Sequence, residues 1–186
     1  MRRYIVGLLV IIVVIIFIII RLLSGGGAPT PKQTVLEDYA NSDTTMRFVI
    51  ESPTQSAKAH REIEIVVGKD NAALTVYKGY DGEEVRSKSY PMSVAAYADF
   101  LRGLRLSGHY TSGNSADSMK DERGYCALGD TYVYEIVDPS GNATQHFWST
   151  DCGTKTFQGN AEIVQQMFKN EIPDYDTLTE DVNLNY

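Results

Sequence analysis

The stretch Leu74-Thr-Val-Tyr-Lys-Gly-Tyr-Asp-Gly-Glu-Glu-Val-Arg-Ser-Lys-Ser-Tyr90 carries the architecture. Leu74 and Val76 alternate with polar neighbours over Ala73–Tyr80, Asp81-Gly82 supplies a hairpin turn, and Val85–Tyr90 returns. The pattern extends upstream. Met46–Glu51 places Met46, Phe48 and Ile50 on one face, and Glu62–Val67 does the same with Ile63, Ile65 and Val67. Gly68-Lys-Asp-Asn71 joins that strand to the next. Strands joined by such short turns run antiparallel.

Downstream the period changes. Val94, Tyr97, Ala98, Leu101 and Leu104 share one face of a helix that Ser93 caps and Gly108 follows. Residues 111–124 form a polar loop with few apolar anchors. Thr131–Asp138 and Ala143–Thr150 then read as a second hairpin across Pro139-Ser-Gly-Asn142. Asn160 caps another helix, with Ile163, Val164, Met167 and Phe168 on its apolar face and Pro173 beyond its end. Each helix has one apolar stripe and each strand one apolar face. The expected fold is α+β: a two-layer domain over 45–173, an antiparallel sheet with two helices on one face. Residues 25–44 are expected to be a linker and a short helix, in which Thr30-Pro-Lys-Gln33 has the form of a capping box. Residues 174–186 are expected to be an acidic, loosely docked tail.

Tyr4 to Ile20 is an apolar run without a charge, interrupted by Arg21 and extended by Leu22 and Leu23. As a helix, 4–23 would be about 30 Å long, the thickness of a bilayer's hydrocarbon core. Arg2 and Arg3 precede it with no acidic residue, so the N-terminus is expected in the cytoplasm and the chain after Ser24 outside. Residues 1–24 are thus read as a cytoplasmic stub and a single-pass transmembrane signal-anchor helix in the cell membrane. The competing reading is a cleaved signal peptide, for which Ser24-Gly-Gly-Gly-Ala28 offers small residues. Against it, the run exceeds the usual length of such a segment.

Without Arg2, Arg3 and Arg21, the remaining 14 of the 17 basic residues face 24 acidic ones, a balance of −10. Such a domain repels phosphate backbones, so no nucleic-acid partner is expected. Its two cysteines, Cys126 and Cys152, favour a disulfide in an extracytoplasmic domain. If Asp138 faces Ala143, Thr131 faces Thr150, and both cysteines flank the open end of one hairpin. A catalytic cysteine paired with His146 is the sharper alternative.

Motifs for hydrolases, nucleotide binding and zinc peptidases are missing, and His60, His109 and His146 are scattered, none at metal-ligand spacing from a cysteine. No cofactor, metal site or catalytic residue is expected. The opening hairpin resembles that of L,D-transpeptidases, but the nucleophile motif of that family has no counterpart around Cys126, which follows Arg-Gly-Tyr. In the hairpin register above, Glu135 faces His146 and Val133 faces Trp148. The first pair reads as acid–base machinery or as a cross-strand ion pair, with the ion pair favoured. Tyrosines are numerous, 12 in the chain. Rigid amphipathic rings on an exposed sheet face suit ligand contact, which makes Tyr77, Tyr80, Tyr132, Tyr134, His146 and Trp148 the candidate binding surface.

Leu74-Thr-Val-Tyr-Lys-Gly-Tyr80, Arg123-Gly-Tyr-Cys126, Phe147-Trp-Ser-Thr-Asp-Cys152 and Ile172-Pro-Asp174 resemble a set of single-pass, membrane-anchored extracytoplasmic proteins of Saccharibacteria-type bacteria. The resemblance spans most of the external domain and implies no activity. The order of two-strand-plus-helix units is similar to that of emfourin-type inhibitors of metallopeptidases, in architecture only. The expected function is a membrane-tethered, non-catalytic extracytoplasmic module. It would be held in the lipid bilayer through residues 4–23 and bind a protein or cell-envelope partner. A protease inhibitor or cell-envelope assembly accessory protein is the alternative.

Overall fold

The computed structural model describes residues 35–108 and 120–182. Within them a 3-10 helix (Leu36–Asn41) leads into strands β1 (Thr45–Glu51), β2 (Arg61–Val67), β3 (Asn71–Lys78) and β4 (Glu83–Pro91). Helix α1 (Val94–Leu106) follows, then β5 (Thr131–Val137), β6 (Ala143–Thr150), α2 (Ala161–Asn170) and the short α3 (Tyr175–Thr179). The strands form one antiparallel six-stranded sheet in the order β4-β3-β2-β1-β5-β6. The first four are consecutive hairpins. The chain then crosses by way of α1, so that β5 pairs with β1 rather than with β4.

The alternation within the strands sends one residue set to the helix layer. Met46, Phe48, Ile50, Ile63, Ile65, Val67, Leu74 and Val76 are all at most 2% exposed and form one core with Tyr97, Leu101, Leu104, Val164 and Phe168 of α1 and α2. Phe48 is the centre, stacked on Tyr134 and on Phe168 with ring centroids 5.4 and 5.3 Å away. Tyr97 spans the layers and donates its hydroxyl to the Thr44 carbonyl at 2.8 Å, which satisfies the one polar atom of an otherwise buried ring. Both helix starts are capped as the sequence predicts: Ser93 accepts from the Ala96 amide, and Asn160 from the Ile163 amide. The α+β class and the placement of α1 and α2 on one face are therefore as expected.

Several details differ. Val94 and Ile163 are 42% and 50% exposed, because the buried stripe on each helix is narrower than the apolar set in the sequence. The β5–β6 register follows Thr131↔Thr150 through Ile136↔Gln145 and then slips, so Val137 rather than Asp138 faces Ala143. The cause is the turn: Asp138 Oδ1 accepts from the amides of Ser140 and Asn142, and the Asp138 amide donates to the Asn142 carbonyl. The stretch 174–182 is docked rather than loose. Tyr175, Leu178 and Val182 pack on the core, Asp174 pairs with Lys88 and Tyr90, and Asp181 pairs with Arg86 at 2.8 Å. Before the sheet, Leu36–Asn41 is a 3-10 helix whose start at Val35 has no side-chain cap. The capping box at 30–33 lies outside the described residues, as do the anchor run 4–23, most of the polar loop (111–119), Tyr110, His109 and 183–186. Among the described residues no helix is long and apolar enough to cross a membrane.

Candidate functional site: the helix-free sheet face

Among the described residues the second face of the sheet carries no helix. Arg47, Val49 and Glu51 of β1, Glu62 and Glu64 of β2, Tyr77 of β3, Val133 and Glu135 of β5, and His146 and Trp148 of β6 lie on it by alternation with the core set. Part of this face is covered by the irregular segment 120–127, here called the strap. The strap is tied at one end by the Cys126–Cys152 disulfide, whose Cα atoms are 5.6 Å apart. The bond sits just beyond Thr131 and Thr150, at the open end of the β5–β6 hairpin, as the sequence predicts. The strap is held further by the Ala127 carbonyl, which accepts from the Thr54 amide at 2.9 Å. The Lys120 carbonyl accepts from Trp148 Nε1 at 2.8 Å, and the Tyr125 ring lies over Trp148 with centroids 4.8 Å apart. Beneath it Val49, Val133 and Trp148, each at most 4% exposed, form a small apolar cluster separate from the main core.

Across the middle of the face runs a chain of alternating charges. Tyr77 donates to Glu64 at 2.9 Å. Arg47 bridges Glu64 and Glu135, the second contact at 2.7 Å. His146 closes the row, with Nδ1 2.7 Å from Glu135 Oε1 and Nε2 2.7 Å from Glu122 Oε2 on the strap. With a carboxylate at each nitrogen, the ring is held as an imidazolium that donates from both. The bonds to Glu122 and Glu135 raise the His146 pKa to about 9 against the opposing effect of burial. Burial works to raise the Glu135 carboxyl, yet His146 and Arg47 together hold it below its ordinary value. The pairing Glu135↔His146 is thus an ion pair, the favoured sequence reading, and part of a larger network. Cys126 and Cys152 are bonded to each other, so neither is a free thiol to pair with His146.

Next to the network is a pocket of about 400 Å³ between the strap, the ends of β1 and β2 and the β3–β4 turn. Its walls include Glu51, Glu62 and Glu122, the cation Arg123 of the strap, and the rings of His60 and Tyr80. Glu51 and Glu62 are direct cross-strand partners, an arrangement of like charges that costs stability when both are ionised. Burial first, then Glu122 and Glu62, push the Glu51 carboxyl up to about 7, and burial likewise raises Glu62. The other wall is a stack: His60 and Tyr80 have ring centroids 4.1 Å apart, and the Tyr80 hydroxyl donates to the Gln55 carbonyl at 2.8 Å. Ser52 Oγ accepts from Gln55 Nε2 and from the Arg61 amide. Its own proton is therefore directed to His60 Nδ1, 3.1 Å away. Burial, then Arg61, lower the His60 pKa, so the ring is neutral with its proton on Nε2.

The predicted surface residues separate into four groups. Tyr80, 57% exposed, and Tyr77 are available on or beside the helix-free face. Tyr132 is turned to the helix side, with its hydroxyl on Asp151 at 3.0 Å. Tyr134 is fully buried between Phe48 and Phe157, and Trp148 is 2% exposed under the strap. These two present no surface, because even-numbered β5 residues face the helices and the strap covers the end of β6. His146 is half-enclosed and bound at both nitrogens. The sequence reading passed over Glu51, Glu62, Glu122, Arg47 and His60. Alternation in Glu62-Ile-Glu-Ile65 already puts two carboxylates on the polar face. The pairing of Arg47 with Glu135 depends on the nonlocal contact of β1 with β5.

Among the described residues no group of three or more His, Cys, Asp or Glu is arranged to hold a metal ion. What the fold and the site define is a two-layer α+β domain with one strapped, charged sheet face. No family model and no curated protein matches the chain.

Proposed function

We propose that the chain is a membrane-tethered, non-catalytic extracytoplasmic module that binds a protein or cell-envelope partner through the helix-free face, seating a basic group of that partner in the Glu51–Glu62–Glu122 pocket. The apolar run 4–23 with Arg2 and Arg3 before it supports the tether and its orientation, and the Cys126–Cys152 bond suits an oxidising compartment. The observation that carries the binding reading is the pocket itself. Two carboxylates stand directly opposed on neighbouring strands, with neither in an ion pair or hydrogen bond among the described residues, beside an aromatic wall that ends in an exposed Tyr80. Arg47, His146 and the pocket-lining Arg123 act on Glu51 only at a distance. A basic side chain or amine placed between the two carboxylates removes their repulsion, a gain that a neutral or acidic ligand does not bring.

The test is photo-cross-linking in intact cells from a photoreactive residue at position 80, with position 162 on the helix layer as control. The expected result is a discrete adduct from position 80 that weakens at least about tenfold in Glu51→Gln/Glu62→Gln, as loss of about 1.4 kcal/mol or more of charge pairing requires. An adduct indifferent to the double substitution, or equal labelling from position 162, refutes the reading.

A further inference from the structure

We propose that residues 120–125 are a protonation-gated flap: with the Glu51 carboxyl protonated the flap lies closed over Trp148, and ionisation of Glu51 beside Glu122 and Glu62 loosens it and uncovers the apolar patch Val49–Val133–Trp148. The flap has the build of a gate. It has no helix or strand of its own. It swings from a fixed hinge, since Cys126 is bonded to Cys152 and Ala127 to Thr54. Beyond the hinge its described holds are three: Glu122 on His146, the Lys120 carbonyl on the indole, and the Tyr125 ring on Trp148. The surface beneath it is apolar, unlike the rest of the helix-free face.

Glu122 is the element that both holds and is pushed. His146 attracts it from β6, while Glu51 of β1 lines the same pocket and repels it, and Glu62 of β2 adds its own repulsion on Glu51. The charges that face Glu51 are Glu62, Glu122, His146, Arg47 and the flap's own Arg123, with neutral His60 across the pocket. Arg123 is hydrogen-bonded to Asp121, with contacts at 2.9 Å, and acts on Glu51 and Glu122 only at a distance. The sign follows from linkage. In the closed state Glu51 is buried beside two carboxylates and its affinity for a proton is raised. With the flap open, water and distance from Glu122 return it toward its ordinary value. The proton therefore favours closure, and closure weakens as pH rises through the neutral range. His146 keeps its charge throughout that range, so Glu122 loses no anchor there.

The chain has one tryptophan, so the exchange of its indole N–H with solvent, corrected for intrinsic rate, reports flap opening at a single site. Protection in the wild-type protein is expected to fall about tenfold between about pH 6 and about pH 8, the effect of one pKa unit between closed and open states. In Glu51→Gln, which resembles the protonated acid, protection is expected to stay at the acid value across the range. Glu122→Gln is expected to lower protection already at the acid end and to show no further fall. A flat profile in the wild type, or the same fall in Glu51→Gln, overturns the proposal. Neither outcome bears on the partner-binding reading, which rests on the position-80 cross-link.

Discussion

His146→Gln tests the charge network at the joint between the sheet and the strap. Glutamine keeps a polar side chain opposite Glu135 but cannot carry the positive charge that both Glu122 and Glu135 receive. In the folded protein the His146 pKa stands at about 9 against an ordinary 6.5. A base whose affinity for protons rises on folding contributes stability that is complete below its unfolded value and is lost as pH climbs through the folded one. The window is therefore 6.5 to about 9. At about 1.4 kcal/mol per tenfold change in proton affinity, the full effect is ~3 kcal/mol. Screening of the His146 and Glu122 side chains, each 15% exposed, reduces it to about 2 kcal/mol. Urea unfolding followed by circular dichroism is expected to show the wild type losing about that much between the two ends of the window. His146→Gln is expected to be weaker by about 2 kcal/mol at the lower end and level thereafter. Glu51 also loses stability with rising pH, because its raised value favours the folded state only while it is protonated. Its window, from its ordinary 4.5 to about 7, lies almost wholly below. Parallel curves for wild type and variant across the upper window would refute the assignment of the imidazolium as the joint.

Two further outcomes follow from the packing. Cys126→Ser/Cys152→Ser opens a loop defined by a separation of 26 residues and is expected to cost about 3.5 kcal/mol in the chain-entropy description, read as a lower urea midpoint; reduction of the wild type should match it. Phe48→Ala empties the centre of the main core, where the ring meets both Tyr134 and Phe168. It is expected to cost about 3–5 kcal/mol by calorimetry, while an exposed site such as Leu128, 91% exposed, is expected to stay within about 0.5 kcal/mol on substitution by Ala.

Much of the layer architecture can be read from local pattern, because local pattern is what makes it. Met46-Arg-Phe-Val-Ile50 and Glu62-Ile-Glu-Ile65 alternate strictly enough that only one register buries them, and the Ser93 and Asn160 caps fix two helix starts within a residue. The disulfide follows from the hairpin register, which the sequence specifies except at the bulge. What escapes local reading is nonlocal. Nothing in 131–137 states that β5 pairs with β1. Without that pairing, Arg47 and Glu135 have no reason to meet, and Tyr134 cannot be told from Tyr132 in burial. Trp148 shows the same limit from the other direction. Alternation correctly assigns it to the helix-free face, and the conclusion that it is therefore exposed fails because a segment without periodicity covers it.

The charge pattern on that face makes the site local rather than diffuse. From Glu64 through Arg47, Glu135 and His146 to Glu122, signs alternate, and each charge has an opposite neighbour in contact. Such a row is close to self-neutralising and offers little to a ligand. The balance breaks at one end, where Glu51 and Glu62 add two carboxylates with no ion pair among the described residues. The wider domain is acidic, but acidity spread over a surface mainly confers solubility. Here the excess of carboxylates coincides with the concave part of the face, the stacked His60–Tyr80 wall and the strap. In the two proposals Glu51 is the shared element, attracting a basic partner together with Glu62 and repelling Glu122 of the strap. A basic group seated between Glu51 and Glu62 would take over the proton's role, and binding would then hold the strap closed rather than open it.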